Sequence, residues 1–137
     1  MKILIDTNVI LDILLKRESF FADSYKALRT AAEKNMDCLV SATAATDIYY
    51  LLRKGLRSDA IARQYMHCLS QLVLFADVLS EDVLTATESE ISDFEDAVVI
   101  AVAKRIGADY ILTRNVKDFT DSNPPAITPS EFVKIFR

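Results

Sequence analysis

The 137-residue chain reads as an α/β protein: a five-stranded parallel sheet with helices on both faces, a three-layer α/β/α sandwich. Short apolar, partly β-branched runs (KILI at 2–5, CLV at 38–40, YIL at 110–112) alternate with helical stretches of about ten residues or more, which is the pattern of βα units. Each apolar run is unbroken rather than alternating with polar residues, as a strand buried on both faces requires. No repeat, linker or low-complexity tract interrupts the pattern, so residues 1–137 form one domain of ordinary size.

The elements follow in order. The first strand, residues 2–5, stops at Asp6, and Thr7 or Asn8 can cap the helix after it. In that helix Val9, Leu11, Ile13 and Leu14 are apolar, whereas Asp12, Lys16 and Arg17 are polar. A second helix over roughly 20–34 carries Tyr25, Leu28 and Ala32 on one face. After the strand at 38–40, Ser41 or Thr43 opens a helix through Asp47, Ile48, Leu51 and Leu52, with Gly55 as its left-handed cap. Ser58 and Asp59 start the next helix, where Ile61, Tyr65, Cys68, Leu69 and Leu72 keep helical spacing, and a third strand falls near 73–75. Ser80, Glu81 and Asp82 begin another helix with acids at the positive end of its dipole.

Ser92 and Glu95 have the S-x-x-E spacing of a capping box, ahead of a helix that runs to about Ile106 and ends at Gly107. The fourth strand is 110–112. Pro124 and Pro125 precede a short fifth strand near Ala126-Ile127, and Thr128, Pro129 and Glu131 open the last helix.

Composition removes several function classes. With two glycines in the whole chain, neither a P-loop nor a dinucleotide-binding G-x-G-x-x-G can be built. A single histidine, His67, excludes zinc sites of several histidines and argues against a Ser-His-Asp machine. Cys38 and Cys68 lack C-x-x-C spacing and read as reduced thiols. Net charge is −4 and the pI near 5.0, the opposite of a protein that holds nucleic acid by charge alone. An acidic nuclease remains open, because its carboxylates hold cations and the cations face the phosphates. Asp6, Asn8 and Asp12 interrupt the apolar amino terminus, and the run 97–103 is far short of the ~20 residues that cross a bilayer. The expectation is a cytoplasmic protein with no membrane partner.

In parallel sheets ligands bind beyond the carboxyl ends of the strands, where strand order reverses. Asp6 follows the first strand, Asp47 lies early in the helix after the second, and Asn115 and Asp118 follow the fourth. Asp96 lies in the first turns of the helix before it. Each has a plain alternative: Asp6 as an N-cap, Asp93 and Glu95 as helix-start acids, Asp47 as a surface acid, Asp118 as a turn residue. Asp96 is harder to explain this way, since it stands beside the apolar Ala97, Ile100 and Ala103. The signal is the joint placement on one edge of the sheet.

The segments LIDTNVIL (4–11), IYYLLRK (48–54), DFEDAVVIAVAKRIGADYILTRN (93–115), KDF (117–119) and TPSEF (128–132) together resemble the PIN-domain proteins. Nearest in pattern are the small VapC-type ribonuclease toxins of toxin–antitoxin modules. The resemblance spans essentially the whole chain. It implies a PIN-like five-stranded parallel sheet whose acidic edge binds Mg²⁺ or Mn²⁺, and a metal-dependent endoribonuclease that hydrolyses RNA phosphodiester bonds. Catalytic acids by motif position are Asp6, Asp96 and Asp47, with Asp118 as a further metal ligand. The pattern has Glu where Asp47 stands and Asp where Asn115 stands, so the alternative is a PIN-fold interaction module with a degraded metal site.

Thr7, Asn8, Thr113 and Asn115 are uncharged groups beside the acids that can position a ligand, and Arg114 can contact the RNA backbone. The resemblance further implies a cognate antitoxin that covers the acidic groove, and a homodimer. The apolar surplus at 9–15 and at Phe20-Phe21 supports the dimer.

Overall fold

The apolar run that opens the chain becomes the middle of the sheet. In the computed structural model, which describes residues 1–137, β1 (Lys2–Ile5) lies between β2 (Asp37–Ser41) and β4 (Tyr110–Leu112). β3 (Leu74–Ala76) and β5 (Ala126–Ile127) are the edges, the order is β3-β2-β1-β4-β5, and every pairing is parallel. Ile3, Leu4 and Ile5 are all buried, which explains why the run is apolar at every position after Lys2. The parallel five-stranded sheet expected from the sequence is the one observed.

Seven helices cover it: α1 (Thr7–Leu14), α2 (Phe21–Glu33), α3 (Ala42–Leu56), α4 (Asp59–Leu72), α5 (Ser80–Thr87), α6 (Phe94–Arg105) and α7 (Pro129–Phe136). One core gathers α1, α2, α3, α4 and α7 on one face of the sheet, around Val9, Ile10, Ile48, Leu52, Leu69 and Phe132. The other joins α5 and α6 to the opposite face through Ala86, Val98 and Val102. α6 is buried over most of its circumference, and its alanines and valines let it sit close to the sheet. No helix is long and apolar enough to cross a membrane.

Local signals at helix ends were partly displaced. The cap of α1 is Asp6 itself, whose carboxylate accepts from the Thr7 N–H, so neither Thr7 nor Asn8 caps it. α3 is capped by Ser41, not Thr43, and runs through Gly55. The left-handed residue is Arg57 (φ 57°), and Gly55 is small because Leu15 packs against it: a Cβ there would lie 3.3 Å from the Leu15 side chain. α6 is capped by Asp93, which accepts from the Asp96 N–H; Ser92 is outside the helix and Glu95 is not a capping-box acid. α7 starts as expected, with Thr128 accepting from the Glu131 N–H and Pro129 in the first turn.

Much of the apolar surplus at 9–15 is consumed inside the chain, whereas Phe20 stays 40% exposed. Val9, Ile10 and Leu11 are buried in the core, so they offer no surface to a second copy. Asp12, expected on a polar face, is 0% exposed. Its carboxylate accepts from Arg114 (2.7 and 3.2 Å) and Ser24 (3.2 Å) and lies 3.6 Å from Arg17. This pair ties α1 to α2 and to the chain leaving β4, and the Arg114 guanidinium also stacks on Phe20, 3.8 Å from the ring centroid. Truncating a buried carboxylate strands its cation, so Asp12→Ala is expected to lower unfolding free energy by about 2–4 kcal/mol, with the arginines' partial exposure already discounted. Urea denaturation of the two proteins checks this; an unchanged midpoint would remove the pair from any account of stability.

Candidate active site

The chain visits β1, β2 and β3 outward in one direction, then returns to β4 on the other side of β1. The strand order therefore reverses between β1 and β4, and a crevice opens beyond their carboxyl ends. Asp6 ends β1 and Thr113 ends β4. The Asp6 N–H donates to Leu112 C=O (2.9 Å), and the Thr113 hydroxyl donates to Asp6 Oδ2 (2.8 Å). Thr7 N–H holds the other carboxylate oxygen (2.8 Å), and the Asn8 amide reaches Oδ2 at 3.3 Å. Asp6 is thus fixed before any ligand arrives.

A cavity of about 530 Å³ lies over this point, within the range of small-molecule sites. Asp6, Asp47, Asp93, Glu95, Asp96 and Asp118 line it, against one cation, Arg17. Asp96 projects from the first turn of α6, and Asp47 comes from the second turn of α3. Asp118 sits in the 3₁₀ turn Val116–Phe119, anchored by buried Phe119 and by its own N–H to Asn115 C=O (2.9 Å). Thr7, Asn8 and Asn115 also line the cavity.

The electrostatics record this crowding. Burial raises the Asp6 carboxyl above its usual range, offset in part by hydrogen bonds from Thr113 and Thr7 and by Arg114. Asp96 is pushed up to about 6, first by burial and then by the charges of Asp93, Asp6 and Asp118. Glu95 is raised to about 7, chiefly through its pairing with Asp47, with burial and the neighbouring acids adding to it.

Two residues offered by the sequence stand elsewhere. The Arg114 guanidinium is engaged by Asp12 and Phe20 and does not line the cavity; only its backbone N–H approaches it, 3.4 Å from Asn8 Oδ1. Thr113 is fully buried and acts through Asp6, with its hydroxyl also accepting from the Asn115 N–H (3.1 Å). Conversely Glu95, Asp93, Arg17 and Tyr50 line the cavity without having been singled out for it. The S-x-x-E frame hid Glu95, because D-F-E-D one residue later gives the cap that forms.

The donors are all hard oxygens with no histidine or cysteine, which suits Mg²⁺ or Mn²⁺ and not zinc. No three His, Cys, Asp or Glu side chains meet closely enough to hold an ion as they stand. The set fits such an ion in kind and charge, and enclosing one requires the carboxylates to draw together.

A switch-point crevice walled by carboxylates from β1, α3 and α6 defines an acidic-site α/β domain. A family model described as PIN domain matches residues 2–117, and the chain belongs to the PIN-domain family. Ribonuclease VapC1 of Aquifex aeolicus (strain VF5) is 28% identical over 135 residues, covering 96% of this chain and 92% of that protein. Among solved structures, VapBC2 from Rickettsia felis bound to a DNA fragment from their promoter matches with a TM-score of 0.75 at 17% identity, over 93% of this chain and 98% of that one. A toxin–antitoxin complex from Klebsiella pneumoniae matches with a TM-score of 0.66 at 19% identity, over 93% and 98%. These two bear on the fold; the VapC-like character of the chain agrees with the motifs read from its sequence.

The raised carboxyls set a pH dependence. A group whose folded pKa lies above its unfolded value favours folding below the unfolded value, and that advantage is lost as pH rises through the folded one. For Asp96 and Glu95 the window runs from about 4 to about 7. In chelator, Asp96→Asn should melt like the parent near pH 4 and above it at pH 7.5, and Glu95→Gln should do the same. A gap that closes with rising pH would mean that the acids do not repel one another.

Proposed function

We propose that this chain is a metal-dependent endoribonuclease of the VapC type, acting as the toxin of a toxin–antitoxin pair. The observation that carries the reading is the charge imbalance of the cavity: six carboxylates against one guanidinium, at the switch point of the sheet. Such a concentration of like charge in one crevice calls for a cation. Asp6, Asp96, Asp47 and Asp118 would hold it. When bound, Mg²⁺ or Mn²⁺ supplies a water of lowered pKa and neutralises charge on the scissile phosphate.

The chain's own groups do the rest. Thr113, Thr7 and Asn8 keep the Asp6 carboxylate oriented, Asn115 offers an uncharged hydrogen bond at the same edge, and Glu95 with a pKa of about 7 can take up or return a proton near neutrality. The name of the Aquifex relative supports an RNA substrate, and the toxin–antitoxin complex that shares the fold is in keeping with an antitoxin partner. A homodimer belongs to the same reading, although the buried apolar face of α1 no longer argues for it. The cytoplasm, where RNA is met, is the compartment this activity needs.

The alternative, an interaction module with a degraded site, draws on the same cavity. Asn115 brings no charge, Asp47 has a short reach, and the carboxylates stand too far apart to enclose an ion without moving. One experiment separates the two. Mn²⁺ at about ten times its dissociation constant should stabilise the parent by roughly 1.4 kcal/mol, a melting shift of a few degrees, and should support cleavage of a total RNA pool. Asp6→Asn and Asp96→Asn should lose both responses while folding at least as well as the parent without metal. Equal metal responses in all three proteins, or cleavage by the mutants, would replace the nuclease with the interaction module.

A further inference from the structure

We propose that Tyr50 is a base-stacking platform at the mouth of the acidic cavity, holding the nucleotide beside the scissile phosphate. The inference rests on the nuclease reading and names a residue that holds its substrate. Thr43, Asp47, Tyr50 and Lys54 are spaced i, i+4, i+7 and i+11 on α3, which puts them along one face. The first three line the cavity. Tyr50 is 62% exposed, although burying its ring in the core would be favourable. Its neighbour Tyr49 does not line the cavity and is covered by Arg63, 5.5 Å from its ring centroid. Tyr50 takes part in none of the chain's aromatic or cation–π pairs.

Lys54, exposed one turn further on, takes part in none of its ion pairs. Moving outward from the acids, α3 therefore presents a free π-face and then a free cation. A nucleotide strand has the matching order of groups: a phosphate at the metal-holding acids, a flat base on the ring, and a further phosphate for the lysine. A base already stacked within a duplex cannot turn onto a side-chain ring.

The test uses the intact chain with Mn²⁺ and a mixed-sequence, fluorescein-labelled 12-nucleotide RNA, single-stranded or annealed to its complement. Its KM is read from cleavage and its affinity from anisotropy with Ca²⁺, which takes the same oxygen ligands. Tyr50→Ala should raise KM and the dissociation constant for the single strand about tenfold, equivalent to about 1.4 kcal/mol and within the range for one stacked base. Tyr50→Phe should restore the parent's values, and Tyr50→Leu, with bulk but no π-face, should behave as alanine. The duplex should bind weakly and equally to all four. Melting temperatures should be nearly unchanged, because the ring is exposed.

If the parent cuts or binds the single strand and Tyr50→Ala or Tyr50→Leu matches it, the platform is overturned and the nuclease stands. A parent that binds without cutting, with affinity lost in Tyr50→Ala, keeps the platform and removes the nuclease. A parent that does neither removes both.

Discussion

One hydrogen bond organises the carboxyl edge of this sheet: the Thr113 hydroxyl to the Asp6 carboxylate, 2.8 Å, across the boundary between β1 and β4. It joins the two strands at which strand order reverses, so the backbone that opens the crevice also fixes the first acid inside it. The parallel register brings Ile5 beside Leu112, and the next residue on each strand is the one that bonds. The same Thr113 oxygen receives the Asn115 N–H, which turns the chain toward the 3₁₀ turn carrying Asp118. Asp6 caps α1 with its other oxygen. A single buried threonine thereby links the start of one helix, the ends of two strands and the direction of a loop, and each link depends on the others being in place.

The cations are distributed against the interest of stability and in favour of the cavity. Asp12, two turns into α1, takes Arg114 and draws Arg17 to 3.6 Å, while the acids at the cavity share a single guanidinium. An arginine turned into the crevice would offset the burial and like charge that raise Asp96, and would also occupy the place of a metal ion. Concentrated charge of one sign is costly to a fold and useful to a site that must attract a divalent cation, a common source of conflict between stability and function. Burying Asp12 with its own partners lets the fold keep a satisfied ion pair a short distance from the unsatisfied cluster.

The layered fold was legible because its signals are local and redundant. An unbroken apolar run such as KILI has few uses other than a central strand, and α/β alternation leaves few topologies. Asp6 and Asp96 were legible for a related reason: the switch-point rule places ligands after strands, and an acid beside the apolar face of α6 has no cheap structural explanation. Asp12 and Arg114 were not legible. Their bond spans 102 residues of sequence, and an aspartate on an amphipathic helix reads as solvated until the arginine that buries it is known. Glu95 was misread because cap patterns recur in overlapping frames, and S-D-F-E-D offers a serine and an aspartate as candidates one residue apart. Which of them caps α6 is decided by packing, and that choice frees the glutamate for the cavity.

Glu95 also bears on the residue that departs most visibly from the PIN pattern. Asp47 stands where that pattern has glutamate, and its carboxylate on α3 lines the cavity with one methylene less. Glu95 approaches from α6, and its carboxyl is raised to about 7 chiefly through its pairing with Asp47. This corner of the site is therefore lined by carboxylates from both α3 and α6 rather than by a single side chain. Those helices belong to different cores on opposite faces of the sheet. A carboxyl pair bridging them feels any change in their separation, and it releases its proton as pH passes about 7 or when a cation displaces it. Deprotonated, the two groups repel and can then be held together only by positive charge between them.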